Sequence, residues 1–182
     1  MNPVNLQPTL TGQRLELRPL RPTDFQDLYN VASDPLIWEL HPASDRYKPD
    51  VFRRFFDAAL KSKGALAAVD LESSQIIGSS RFHGYNADRS EVEIGWTYLA
   101  RSHWGGVYNR EMKDLMLTHA FGFVRSVIFV VGPENWRSQR AVEKIGAVRA
   151  GSRPDSSGRV DVVYRITASA FGTRAGKTSA SG

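Results

Sequence analysis

A chain of 182 residues, 41% hydrophobic and 10% aromatic, has the length of one domain and the material for one core. It has no cysteine, which excludes disulfides, thiolate metal sites and a covalent cysteine–acyl intermediate. The net charge of +5 favours a polyanionic partner, but the arginines are scattered and form no stripe, which argues against nucleic acid as the primary one.

The first residues, MNPVNLQPTLTGQR, lack the apolar stretch of a secretion signal, and no apolar run is long enough to span a bilayer. A cytoplasmic protein without a membrane partner is expected. Leu15 and Leu17 alternate with charged neighbours, a short strand stopped by Pro19 and Pro22. Thr23 and Gln26 have the spacing of a capping box, followed by Phe25, Leu28, Tyr29 and Ala32 at helical spacing, and Asp34-Pro35 ends that helix. Residues 36–48, with Trp38 and His41, have no clean period and are expected to be a loop or a short helix. Pro49 opens a second helix in which Phe52, Phe55, Phe56, Ala59 and Leu60 share a face, with Gly64 as its stop. Residues 65–71 and 75–82 read as a hairpin, and a second turn at 86–89 leads to the next strand.

The stretch from Glu91 to Phe123 organises the rest. Val92, Ile94, Trp96 and Tyr98 alternate with Glu91, Glu93, Gly95 and Thr97, the period of a two-faced strand. From Met112 the apolar set becomes Met112, Leu115, Met116, His119, Ala120 and Phe123, one face of a helix. Between them, Gly105 and Gly106 allow a tight turn and close approach of backbone to a ligand. The first amides of the following helix lack intrahelical partners and sit at the positive end of its dipole, so the turn reads as a phosphate cradle.

Residues 126–131, SVIFVV, are a short continuous apolar run, a strand buried on both faces and parallel to the Glu91–Leu99 strand because a helix joins the two. Asn135 is placed as the N-cap of a further helix that buries Ala141, Val142 and Ile145 and stops at Gly146. Residues 147–151 and 160–166 form a final hairpin. After Phe171 no large apolar residue follows, so residues 1–171 are expected to be the domain and 172–182 a mobile tail. The four histidines do not form a metal-ligand spacing, and no metal is expected.

Four segments in order carry a resemblance to the GNAT superfamily of acyl-CoA-dependent N-acyltransferases, and within it to the ribosomal-protein N-terminal acetyltransferases. They are Arg14-Leu15-Glu16-Leu17-Arg18-Pro19-Leu20 with Asp24, then Glu93-Ile94-Gly95-Trp96, then Trp104-Gly105, then Asn135-Trp136-Arg137-Ser138 with Glu143-Lys144-Ile145-Gly146. The superfamily's loop usually reads Gln or Arg, two residues, Gly, one residue, then Gly or Ala. Ser102, Gly105 and Val107 occupy those places here, and a β-branched residue takes a positive φ only at a cost.

The resemblance implies an α/β domain of α+β type, a mixed and mostly antiparallel sheet of six or seven strands with about four helices. It also implies transfer of an acetyl group from acetyl-CoA, as cosubstrate, directly to a primary amine. Trp104, Gly105, Gly106, Val107, Tyr108 and Asn109 would cradle the pyrophosphate. Backbone of Trp96, Thr97, Tyr98 and Leu99 would line the pantetheine arm where two parallel strands splay, with Asn135 and Ser138 on its other side. The superfamily's usual tyrosine acid would fall at Val142, which leaves Ser138 to donate to the leaving thiolate. Glu93 stands where some members place a glutamate base, and an ion pair with a neighbouring Arg or Lys on an exposed sheet face explains it equally well. Residues 36–48 would help wall the acceptor site.

The acceptor remains open between a protein N-terminus and a small-molecule amine. So does the assembly, monomer or homodimer, since either sheet edge is able to pair with a second copy. Two other readings stay in view: a non-catalytic CoA-binding or regulatory domain, and a basic ribosome- or nucleic-acid-associated protein.

Overall fold

The computed structural model describes residues 4–178. One eight-stranded sheet runs in the order β1-β2-β3-β4-β5-β6-β8-β7. Its strands are β1 Leu10–Thr11, β2 Leu15–Pro19, β3 Ala65–Asp70, β4 Ile76–Asn86, β5 Glu91–Leu99, β6 Ser126–Val131, β7 Val148–Pro154 and β8 Val160–Thr167. All neighbours are antiparallel except β5 and β6. The helices are α1 Phe25–Ala32, α2 Pro49–Lys61, α3 Val107–Ala120, α4 Trp136–Lys144 and α5 Ala168–Thr178. Both counts exceed the expected ones by small elements at the ends, the two-residue β1 and the C-terminal α5. Residues 172–178 continue α5, and residues 179–182 lie outside the described residues.

The period-2 strands put different residues on the two faces, and each face has its own core. Leu15, Leu17, Phe82, Val92, Ile94 and Phe129 pack with Met112, Met116 and Leu117 of α3 and Val142 and Ile145 of α4. Leu20, Ala65, Ala67 and Tyr98 pack on the other face with Leu28 and Ala32 of α1, Phe52 and Phe56 of α2, and Trp38. Burying each of these large side chains contributes about 1.5–3 kcal/mol. The aromatic stripe of α2 is therefore core.

Two local expectations change. The box at the start of α1 is made by Asp24, whose carboxylate accepts the Arg21 amide at 2.8 Å and pairs with Arg18. Gln26 instead bonds Asn30 one turn on, because the chain first makes a 3-10 turn at Pro22–Asp24. The reversal after α2 falls on Lys63, at φ +54°, one residue before the expected stop. Gly64 matters for a different reason. A Cβ there would lie 2.0 Å from the Phe82 carbonyl oxygen, so only glycine lets β4 come this close. Residues 35–37 form a single 3-10 turn, and Trp38 is a core residue whose indole donates to the Ala32 carbonyl at 2.7 Å.

Candidate active site

Strands β5 and β6 pair only at Glu91↔Ser126, Val92↔Val127 and Glu93↔Ile128. Beyond that point β5 runs on to Leu99 and β6 to Val131 with no pairing between them, so the parallel pair opens into a V. The cause is visible in β5. Its register with β4 shifts between Ser79 and Arg81, and Trp96 takes φ +52°, the signature of a bulge that bends and twists the strand. Residues Trp96 to Leu99 thus run along one arm of the opening.

At the open end, the chain leaves β5 and turns through Gly105 and Gly106, at φ +107° and +105°, into α3. Positive φ falls on the two glycines, and Val107 already lies in the helix, so the β-branched side chain carries no backbone strain. No side chain caps this helix, and its first internal bond runs from the Arg110 amide to the Gly106 carbonyl. The amides of Gly106, Val107, Tyr108 and Asn109 are left for an outside acceptor. Tyr108 fixes the turn from below by donating to Asp70 at 2.9 Å. Trp104 is held by its indole, which donates to the Leu99 carbonyl at 3.0 Å.

On the other arm, Asn135 caps α4 and accepts the Ser138 amide at 3.2 Å. The Ser138 hydroxyl has no hydrogen-bond partner among the described residues, so its capping contact is made by its amide and its hydroxyl is free. Val142 is buried among the strands below. Arg137 joins the two arms: its guanidinium stacks 4.4 Å from the Trp104 ring and pairs with Glu39. The 34–48 segment closes over the same end. Asp34 pairs with Arg101, and Pro42 lies so near Gly132 that a Cβ there would be 2.6 Å from it.

Glu93 is buried, and its Oε2 accepts from Arg153 of β7 at 2.9 Å. Its Oε1 lies beside Gly95, 3.6 Å from where a Cβ would stand. Oε2 thus makes an ion pair, at a buried and not an exposed place on the sheet, and Oε1 has no hydrogen-bond partner among the described residues.

Two features escaped the sequence. Lys113 of α3 is buried at 4% exposure; its ammonium donates to Thr97 of β5, reaches Ser80 at 3.4 Å and lies 5.7 Å from the Phe129 ring of β6. Desolvation pushes its pKa down to about 7. Its only outward sign is a lysine between Met112 and Met116 in the apolar stripe. On the opposite face, Arg46 and Arg81 are held down to about 10 by burial, beside a His41 pushed down to about 3 by the same cause and by Arg46. Arg81 interrupts the apolar run of β4, which was readable but not interpretable without its neighbours.

An opened parallel pair beside an uncapped, glycine-entered helix suits a ligand with an extended amide-bearing arm and a phosphate group. The family model described as an Acetyltransferase (GNAT) domain matches residues 14–148. The chain belongs to the GNAT acetyltransferase family. As a GNAT enzyme it is an acetyl-CoA-dependent N-acetyltransferase.

No match was found among curated proteins. Among solved structures, a GCN5-related N-acetyltransferase from Brucella melitensis is similar at 20% identity, with 93% of this chain and 83% of that one covered and a TM-score of 0.78. RimJ from Mycobacterium smegmatis, in complex with CoA-disulfide, is similar at 20% identity over 89% of this chain and 88% of its own, TM-score 0.66. Spermidine N-acetyltransferase from Vibrio cholerae, in complex with CoA and spermine, is similar at 19% over 88% and 99%, TM-score 0.66. At these identities the likeness speaks for the GNAT fold.

Proposed function

We propose that this protein transfers the acetyl group of acetyl-CoA directly to a primary amine bound on the face of the sheet covered by α1 and α2. The observation that carries this is the V between β5 and β6, flanked by the free amides of the α3 turn and the free hydroxyl of Ser138. The residues present fit the cosubstrate. Open space surrounds Gly105 and Gly106, with nothing within 4 Å of a built Cβ, and unpaired amides and a positive dipole end lie where a pyrophosphate would sit.

In this reading the backbone of Trp96, Thr97 and Tyr98 holds the pantetheine arm as an added strand would, with Asn135 across from it. An amide of β5 polarises the acetyl carbonyl. Glu93, through Oε1 and directly or by way of water, takes a proton from the ammonium of the acceptor while Arg153 keeps the carboxylate in place. The amine nitrogen then bonds to the carbonyl carbon, the carbon–sulfur bond breaks, the surplus proton on that nitrogen passes to the departing thiolate to give the CoA thiol, and the Ser138 hydroxyl donates a hydrogen bond to the sulfur as it leaves.

Calorimetric titration with acetyl-CoA, beside Gly105→Asp, tests the cradle. Wild type binds and Gly105→Asp does not, because a carboxylate is placed against the pyrophosphate on a backbone that tolerates only glycine well. Release of CoA in an amine panel then tests transfer. Binding without turnover for any amine would favour a regulatory CoA-binding domain, and no binding at all would remove the reading.

A further inference from the structure

The face of the sheet opposite α3 holds two arginines that form no ion pair with a carboxylate among the described residues. Arg81, on β4 opposite Gly95 and next to the bulge, is 6% exposed, and among the described residues nothing bonds or pairs with its guanidinium. None of its nitrogens is sealed from solvent without a partner, so the guanidinium keeps a path to solvent. Arg46, from the 34–48 segment, has His41 Nε2 at 3.2 Å as its one hydrogen-bond partner among the described residues. Both guanidinium carbons lie against the one ring of Phe55, at 4.2 and 5.9 Å from its centroid, and Arg81 also lies 4.6 Å from the Trp96 ring.

Asp45, next to Arg46 in the chain, adds its charge without forming an ion pair, and three further carboxylates of this face are already engaged. Glu93 is held by Arg153, and Asp155 and Asp161 by Arg159. Two guanidinium groups brought together in a poorly hydrated, aromatic-walled place repel one another and lose hydration, a cost that folding alone gives no reason to meet. A planar fork with free donors has its natural complement in an oxyanion bound by two parallel hydrogen bonds.

We infer that the acceptor amine carries an oxyanion, a carboxylate or a phosphate, and that Arg46 and Arg81 bind it beside the β5 bulge. This rests on the acetyl-transfer reading and narrows it. A polycation such as spermidine meets the same two positive charges as a repulsion, whatever its fit elsewhere. The stacked aromatic rings keep both forks in place before the ligand arrives, and desolvation strengthens their hold on an anion.

The test compares matched amines by the rate of CoA release. Glycine, β-alanine and 4-aminobutyrate are each set against the carboxamide of the same length, O-phosphoethanolamine against ethanolamine, and spermidine stands as the polycation. The inference expects at least one acid to exceed its neutral partner in kcat/KM by about 10- to 100-fold, the range of a hydrogen-bonded ion contact. The carboxylate and phosphate arms tell which oxyanion is preferred. Arg81→Gln brings that ratio close to one, and Arg81→Lys restores only part of it because the charge returns without the fork.

Thermal unfolding and acetyl-CoA titration of both variants report whether the fold and the cosubstrate site persist. Acids and amides used equally well, or spermidine used best, would overturn the inference while leaving acetyl transfer standing. Calorimetry of the N-acetylated acids against the N-acetylated amides reads the pocket without turnover. If no amine is acetylated, the acetyl-transfer reading falls, and this binding difference still decides whether the arginines take an anion: tighter binding of the acids supports them, equal binding overturns them.

Discussion

Lys113 of α3 donates its ammonium proton to the Thr97 hydroxyl of β5, just past the bulge, and no carboxylate among the described residues accompanies it. A buried amine held by two hydroxyls is the clearest electrostatic tension in the molecule. Its folded pKa, about 7, lies below the ordinary 10.5, because burial disfavours the charged form.

Between those two values the unfolded chain binds a proton that the folded chain does not, so stability rises with pH across about 7 to 10.5. Below about 7 both states are protonated and the burial penalty is fully present. Lys113→Met removes this dependence. Chemical denaturation at several pH values should show the variant's stability rising less steeply than wild type in that window, by up to roughly 1.4 kcal/mol per pH unit. Parallel profiles for the two proteins would mean that the lysine is solvated in the fold.

Glu93→Gln separates the two roles of that side chain. As a proton acceptor its loss costs about 100- to 10,000-fold in kcat, with acetyl-CoA affinity retained. Arg153→Gln leaves the acceptor oxygen in place and costs less. A Glu93→Gln enzyme with normal kcat and a lowered melting temperature would leave only the ion pair that ties β5 to β7.

Ser138→Ala keeps the cap of α4, since Asn135 bonds the amide and not the hydroxyl of residue 138. The expected result is unchanged acetyl-CoA binding and unchanged melting, with kcat lower by roughly 10- to 100-fold, what a hydrogen bond to a charged group supplies. Full activity in the variant would assign the hydrogen bond to the thiolate to water.

Gly64→Ala tests the closeness of β3 and β4. The new methyl would stand 2.0 Å from the Phe82 carbonyl oxygen, which belongs to backbone and has little room to shift. A loss of about 1–3 kcal/mol in denaturant unfolding is expected, the cost of overpacking a filled site.

Much of the fold was legible because hydrophobic period reads directly into structure. The alternation of residues 91–99 and the change to helical spacing at Met112 located β5, α3 and the glycine turn between them. The expectation that residues 126–131 run parallel to β5 followed from the helix that joins them, and the pairing agrees. The loop of residues 36–48 was not legible, because its order comes from Trp38 docking on Tyr98 and Pro42 docking on Gly132, contacts with no local period. The concern attached to Val107 came from counting along a motif; the backbone moved the strained positions onto Gly105 and Gly106.

The sequence by itself determined the alternation of elements, the glycine turn that enters α3 and the cap at Asn135, since each depends on residues within one or two turns of one another. Only the tertiary structure decided that β5 and β6 part after three pairs, that Lys113 is buried against Thr97, and that Arg46 and Arg81 meet at Phe55 with no ion-paired carboxylate among the described residues. Charge balance in a buried site depends on which distant segments converge there. Residues 46 and 81 lie on a loop and a strand that nothing in their own neighbourhoods brings together; the packing of α2 on the sheet does.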